Sequence, residues 1–146
     1  MSLLAAQDFP RWTRAKLGLP ADANLSEEID RVIIRCEDHL RSIIGDDAFD
    51  DLAAEGEANA DRRRRFAAAV HAFVESELHE VRSEHLGSQV GSSTQGKRSR
   101  TIAAQAVSAA GFAAERSRRH YVEGMFHLGY SVRPEALGIH YTSVTR

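Results

Sequence analysis

From Ser26 to Ile44 the apolar side chains Ile29, Val32, Ile33, Cys36, Leu40, Ile43 and Ile44 return at intervals of three and four residues. That spacing lines one face of an α-helix and leaves the opposite face to charge. Ser26 is placed as the N-cap, and Glu27 and Glu28 lie in the first turn, where the helix dipole favours negative charge. Gly45 follows as a C-terminal stop. The helix so defined is about 28 Å long at 1.5 Å per residue. A second stripe, Phe66, Ala69, Val70, Phe73, Val74, Leu78 and Val81, begins after Asp61 as its N-cap and ends before Gly87. Neither amphipathic helix is stable alone, so each is expected to supply the other's core, as antiparallel neighbours. The expected fold class is therefore all-α, a small helical bundle of two long amphipathic helices with shorter ones.

The segments between and after these helices are less regular. Asp46 to Leu52 reads as a short helical turn with Phe49 and Leu52 facing inward, and Glu55 to Ala60 as a linker. Residues 87–100, rich in Gly and Ser, read as a mobile loop or a pair of short strands around Val90. Ile102 to Ala114 is Ala-rich and helix-prone, and Glu115 to Leu128 continues it. Gly111 leaves one helix or two open. Beyond Gly129 the periodicity fails. Residues 1–128 are thus expected to form the helical domain and 129–146 an extended tail. Tyr130, Val132, Leu137, Ile139, Tyr141 and Val144 are more apolar surface than so short a tail can bury on itself. With Arg133 they are assigned to binding a partner, by strand addition or by filling a groove.

At 146 residues and 42% apolar composition, the chain suits one domain with a real core. The longest uncharged stretch, Thr101 to Ala114, is too short and too rich in Ala to cross a bilayer, so no membrane partner is expected. Asp8 and Pro10 interrupt the only apolar start, which excludes a signal-peptide pattern. Cys36 is alone, so an internal disulfide and a multi-cysteine zinc site are excluded. A soluble, intracellular domain is expected. Its charge is uneven: residues 21–61 hold 13 acidic residues against three Arg, while residues 97–146 hold eight basic residues against three Glu. Opposite charge on two halves suits copies meeting head to tail, or halves that neutralise each other within one fold.

Chemistry-bearing patterns fall short one after another. Gly91 to Lys97 matches the GxxxxGK phosphate loop, but Arg98 stands where a hydroxyl must hold the metal, and no strand precedes it. His71, Glu75 and His79 share one helical line and would be the ligands of a helical metalloenzyme. His79-Glu80 opens like HExxH, yet Ser83 replaces the second His. These residues are read as the polar face of a surface helix. Cys36 sits inside an apolar stripe, where a thiol is inert. The paired carboxylates Asp46-Asp47 and Asp50-Asp51 lie in a solvated turn with nothing to desolvate either. No catalytic residue, cofactor or metal is assigned, and the chain is not expected to be an enzyme.

The run Arg62-Arg63-Arg64-Arg65 places four cations in the first turn of the second helix, against its dipole. Acids nearby, acids of an adjacent copy, or nucleic-acid phosphates could answer them. Arg62, Arg63, Arg64, Arg65, Lys97, Arg98 and Arg100 are accordingly assigned as basic residues facing another subunit or DNA. A small helical nucleic-acid-binding or regulatory protein using Lys97, Arg98, Arg100, Arg116, Arg118 and Arg119 is the alternative reading.

The order of these features resembles the head-to-tail connector proteins (adaptor, or head-completion) of tailed bacteriophages. The resemblance rests on Leu25-Ser26-Glu27-Glu28-Ile29-Asp30 opening a helix that continues from Val32 to Leu40, on Phe66 to Val74 in a second helix, and on the Gly/Ser loop from Gly87 to Gly96. It spans Leu17 to Arg100. It implies a structural virion protein: a subunit of a homo-oligomeric, dodecameric ring beneath the portal, lining the DNA exit channel. The partners implied are the portal protein and a neck, stopper or tail protein, with non-specific DNA contact. The place implied is the virion neck, and the host cytoplasm during assembly.

Overall fold

A computed structural model describes residues 2–53, 56–90 and 96–129. Among them the chain is helical with no strand: α1 (Arg14–Leu17), α2 (Leu25–Ile44), α3 (Asp46–Asp50), α4 (Glu57–Val90) and α5 (Gly96–His127), with short 3-10 turns at Ala6–Asp8 and Asp51–Ala53. None of these helices is long and apolar enough to cross a membrane.

α2 forms where the first apolar stripe placed it. Its N-cap is Asn24 rather than Ser26: the Asn24 side chain accepts a hydrogen bond from the Glu27 amide at 3.4 Å. Ser26 lies inside the first turn, because an Asn side chain two residues earlier already satisfies a free amide of the helix end. Arg31 then bridges Glu27 at 3.0 Å and Glu28 at 2.6 Å. Gly45, with φ +91°, ends α2 and opens α3, a backbone conformation that a side chain would strain. Phe49 and Leu52 turn inward as their spacing required.

The core lies between α2 and α4. Ile29, Val32, Ile33, Cys36 and Leu40 of α2 meet Ala69, Val70, Phe73, Val74 and Leu78 of α4, and Phe9, Trp12, Leu17, Phe49 and Leu52 close its ends. Each fully buried Leu, Val or Phe contributes about 1.5–3 kcal/mol of transfer free energy. Glu37 is the one buried carboxylate of α2, and it is answered: Ser2 Oγ donates to it at 2.8 Å and the Leu3 amide also donates.

α4 and α5 are longer than the sequence suggested. α4 starts at Glu57, within the expected linker and ahead of Asp61, and runs through Gly87 to Val90; α5 is one helix across Gly111. Residues 87–90 and 96–100 are therefore helical rather than loop, and residues 91–95 lie outside the described residues. The reason is the antiparallel seam between the two helices. Ser76 Oγ donates to the Ser117 carbonyl at 2.7 Å, Ser83 Oγ donates to the Ala110 carbonyl at 3.0 Å, and Phe73 packs over Gly124. A long tertiary contact of small residues outweighs the roughly 1 kcal/mol helix penalty of a lone Gly. At 1.5 Å per residue the hairpin arms are about 50 Å long. His39 of α2, Phe73 of α4 and Tyr121 of α5 meet as rings with centroids 5.1, 5.5 and 6.0 Å apart, tying three helices at one point.

Candidate functional site

The line of residues His71, Glu75, His79 and Arg82 runs along one side of α4 and forms the floor of a cleft of about 830 Å³. One wall is the N-terminal segment, Asp8 to Trp12 with Lys16; the other is α5, with Arg116, Arg119, His120 and Glu123. The floor is not a solvated helix face, as sequence periodicity suggested. The side chains of His79 and Glu75 are 12% and 16% exposed, because the indole of Trp12 covers them.

Three groups converge there. Glu75, His79 and His120 each place one ligand atom within 4.8 Å of the other two. Glu75 Oε2 lies 3.7 Å from His79 Nε2, longer than a hydrogen bond. The His79 and His120 rings stack almost parallel, 6° apart in plane, with centroids at 5.3 Å. Trp12 Nε1–H donates to both oxygens of Glu75 at 3.2 Å. His120 Nδ1 faces the Glu123 carboxylate at 3.3 Å. Nδ1 of His79 is buried and has no hydrogen-bond partner. Burial pushes the His79 imidazole down to about 4, with the charges of His120, Arg116, Arg82 and Lys16 adding to it, so it is neutral at pH 7. His71, the third member of the line seen in the sequence, is not one of the three; it stacks on Phe9 at 4.6 Å.

A second feature occupies the outer side of α5. Phe112, Arg116, Arg119, Glu123 and Phe126 are spaced by four and three residues, hence on one face, and all are exposed. Phe112 is 67% and Phe126 74% exposed. This face borders the cleft at Arg116, Arg119 and Glu123. On α3 and its flank Asp46, Asp47, Asp50 and Asp51 are exposed, with Arg41 reaching Asp46 and Asp50 at 3.5 Å each.

The arginine run is not in the first turn of its helix, since α4 begins at Glu57. Arg64 reaches Asp61 at 3.5 Å, Arg62 lies over the Phe66 ring at 5.9 Å, and Arg65 donates to the His127 carbonyl. The antiparallel hairpin therefore brings part of the run to the C-terminal end of α5, where the dipole favours a cation. Arg63 is half-buried beside them. Lys97, Arg98 and Arg100 fall on the opening turns of α5. Tyr130, Val132, Arg133, Leu137, Ile139, Tyr141 and Val144 lie outside the described residues. Arg118 and Arg119 are exposed, and Arg119 pairs with Glu115.

Sequence reasoning missed Trp12, His120 and Glu123. Trp12 sits in a segment without periodicity, and His120 approaches Glu75 from another helix, so no spacing in one helix could join them. Cys36 is where its neighbours implied: it is buried, and burial pushes its thiol up, with Glu77 adding to the shift. No family model, curated protein or solved structure matches the chain.

Proposed function

We propose that the chain is a non-enzymatic assembly subunit, of the kind that joins portal and tail in a phage neck as a ring around the DNA channel. The observation that carries this reading is the outer face of α5, where Phe112 and Phe126 stand 67% and 74% exposed on either side of Arg116 and Arg119. Two large aromatic rings held in water on a rigid helix mark a surface made for a partner. Their basic centre complements the exposed acids of α3 and its flank, Asp46, Asp47, Asp50 and Asp51, on another copy. A patch that meets a different patch of the same chain is a heterologous contact, the type that closes into rings. The resemblance of the α2 and α4 sequences to phage connectors supports the same reading.

The test is the mass of the full chain in solution, by light scattering coupled to gel filtration, across concentration and salt. A ring-sized species that the paired substitution Phe112→Asp and Phe126→Asp converts to monomer is the expected result. Both positions are exposed, so the fold tolerates the change. A chain that stays monomeric at every concentration and binds duplex DNA with a steep salt dependence overturns the reading in favour of a nucleic-acid-binding protein.

A further inference from the structure

We propose that Glu75, His79 and His120 form a three-ligand site for a divalent transition-metal ion of the zinc class, with the remaining coordination position open to the cleft. The site lies apart from the aromatic ends of the α5 face and does not depend on the assembly reading.

The donor set is the first argument. Two imidazoles and one carboxylate are the ligands zinc takes where it keeps a position free, at about 2.0–2.2 Å from each donor atom. The ligand atoms here lie within 4.8 Å of one another, and Glu75 Oε2 and His79 Nε2 are separated by 3.7 Å. Tetrahedral donors around such an ion sit about 3.3–3.5 Å apart. Side-chain torsions must therefore draw the three atoms inward by about an ångström at most, within the reach of rotamer adjustment.

The surroundings supply what ligands of this type require. A metal-bound carboxylate or His is held by a further hydrogen bond that fixes its orientation. Glu75 receives that bond from the Trp12 indole, and His120 is oriented through Nδ1 by Glu123, which leaves its Nε2 for the ion. His79 has a buried Nδ1 with no hydrogen-bond partner, and its Nε2 lies 3.7 Å from the Glu75 carboxylate, beyond hydrogen-bond range. An Nε2 with no hydrogen bond within the protein is free to offer its lone pair to an ion, with the ring proton on Nδ1.

Lys16, Arg82 and Arg116 line the same cleft and oppose a bare cation. Their charge favours an anionic fourth ligand, a carboxylate or phosphate oxygen that enters from the open side. Ligands on α4 and α5, oriented by the N-terminal segment, make the ion a clamp across three parts of the chain.

The experiment is zinc titration of the full chain, stripped with chelator and returned to a non-coordinating buffer, read by calorimetry; Co²⁺ serves as a visible-absorption probe of coordination. The expected result is one ion per chain, a rise in melting temperature with zinc, and the intense absorption of four-coordinate Co²⁺. Glu75→Gln keeps the acceptor for Trp12 and nearly the same shape, so it tests the ligand without removing a packing group. It and His120→Ala are each expected to weaken zinc at least about tenfold, as is Trp12→Phe through orientation alone. Glu84→Gln, at an exposed position of α4 outside the cleft lining, binds as the parent chain does. Stoichiometric zinc retained undiminished in Glu75→Gln, or a parent chain that binds zinc only in the millimolar range, overturns the site. Helix content by circular dichroism separates lost ligation from lost fold in every variant.

Discussion

Gly124 and Gly111 both lie inside α5, and helix propensity alone makes the same statement about each. Replacing an interior Gly by Ala removes backbone freedom from the unfolded chain and stabilises by about 1 kcal/mol. The surroundings differ. A Cβ at Gly111 meets nothing within 4 Å, whereas at Gly124 it would lie 2.6 Å from the Phe73 ring and 3.1 Å from the Ala69 carbonyl. Phe73 cannot swing aside: it is 2% exposed and is held between the rings of His39 and Tyr121. Inserting a methyl into so full a site forces the helices apart at a cost of about 1–3 kcal/mol. The net for Gly124→Ala is then between about zero and 2 kcal/mol destabilising, against about 1 kcal/mol stabilising for Gly111→Ala.

Urea unfolding followed by helical circular dichroism measures both, provided the m-value is unchanged. The midpoints are expected to move in opposite directions. The double substitution Gly124→Ala with Phe73→Leu is expected to recover part of the loss relative to the sum of the single ones, since the two sites share one space. Equal stabilisation by both Gly→Ala changes would refute the close approach of α4 and α5 on which the seam, the cleft and the metal site all rest.

Two further outcomes follow from single contacts. Gly18 has φ +66° and ends α1, and a Cβ there would collide with the His85 ring, so Gly18→Ala is expected to destabilise by about 1–3 kcal/mol. Adding His85→Ala relieves the collision but not the backbone strain, which urea midpoints separate. The second concerns pH. His79 moves from 6.5 in the unfolded chain to about 4 in the fold, through burial first and then His120, Arg116, Arg82 and Lys16, with the Glu75 carboxylate beside it. The unfolded chain therefore binds a proton that the native chain does not, and stability falls as pH drops from 6.5 toward 4. With chelator present, His79→Gln is expected to lose less stability than the parent chain between pH 7 and about 4.5, and an equal loss in both would show that other groups carry the acid sensitivity.

The helices over 25–44 and around Phe66 to Leu78 were legible because one uninterrupted apolar stripe faces one core. The short helical turn read over Asp46 to Leu52 likewise placed Phe49 and Leu52 inward, and both are buried. The extents of α4 and α5 were not legible. Their seam is built from Ser76, Ser83, Ala113, Ser117 and Gly124, small residues that carry no hydrophobic signal yet allow two backbones to close on each other. Gly87 looked like a terminus for the same reason: its sequence neighbours are polar, and the contact that sustains the helix lies across the hairpin. Of the candidate metal centre, Glu75 and His79 were visible as an i, i+4 pair, but the reading of them as solvated was mistaken. Whether such a pair is wet or covered is decided by Trp12, remote in sequence, and by His120 on the opposing arm.

Unequal support sets an order of events under thermal motion. α2 touches α3, α4 and the N-terminal turn, while α5 rests chiefly on α4, with Tyr121 reaching His39 as its tie to α2. Detaching α5 exposes Tyr121, Met125 and Leu128 along with the small residues of the seam, while the larger set of apolar side chains between α2 and α4 stays covered. Backbone amides along α5 are therefore expected to exchange through a partial opening that leaves the α2–α4 core closed, and those of α2 through opening of that core. An ion bridging Glu75 of α4 to His120 of α5 would hold that opening shut.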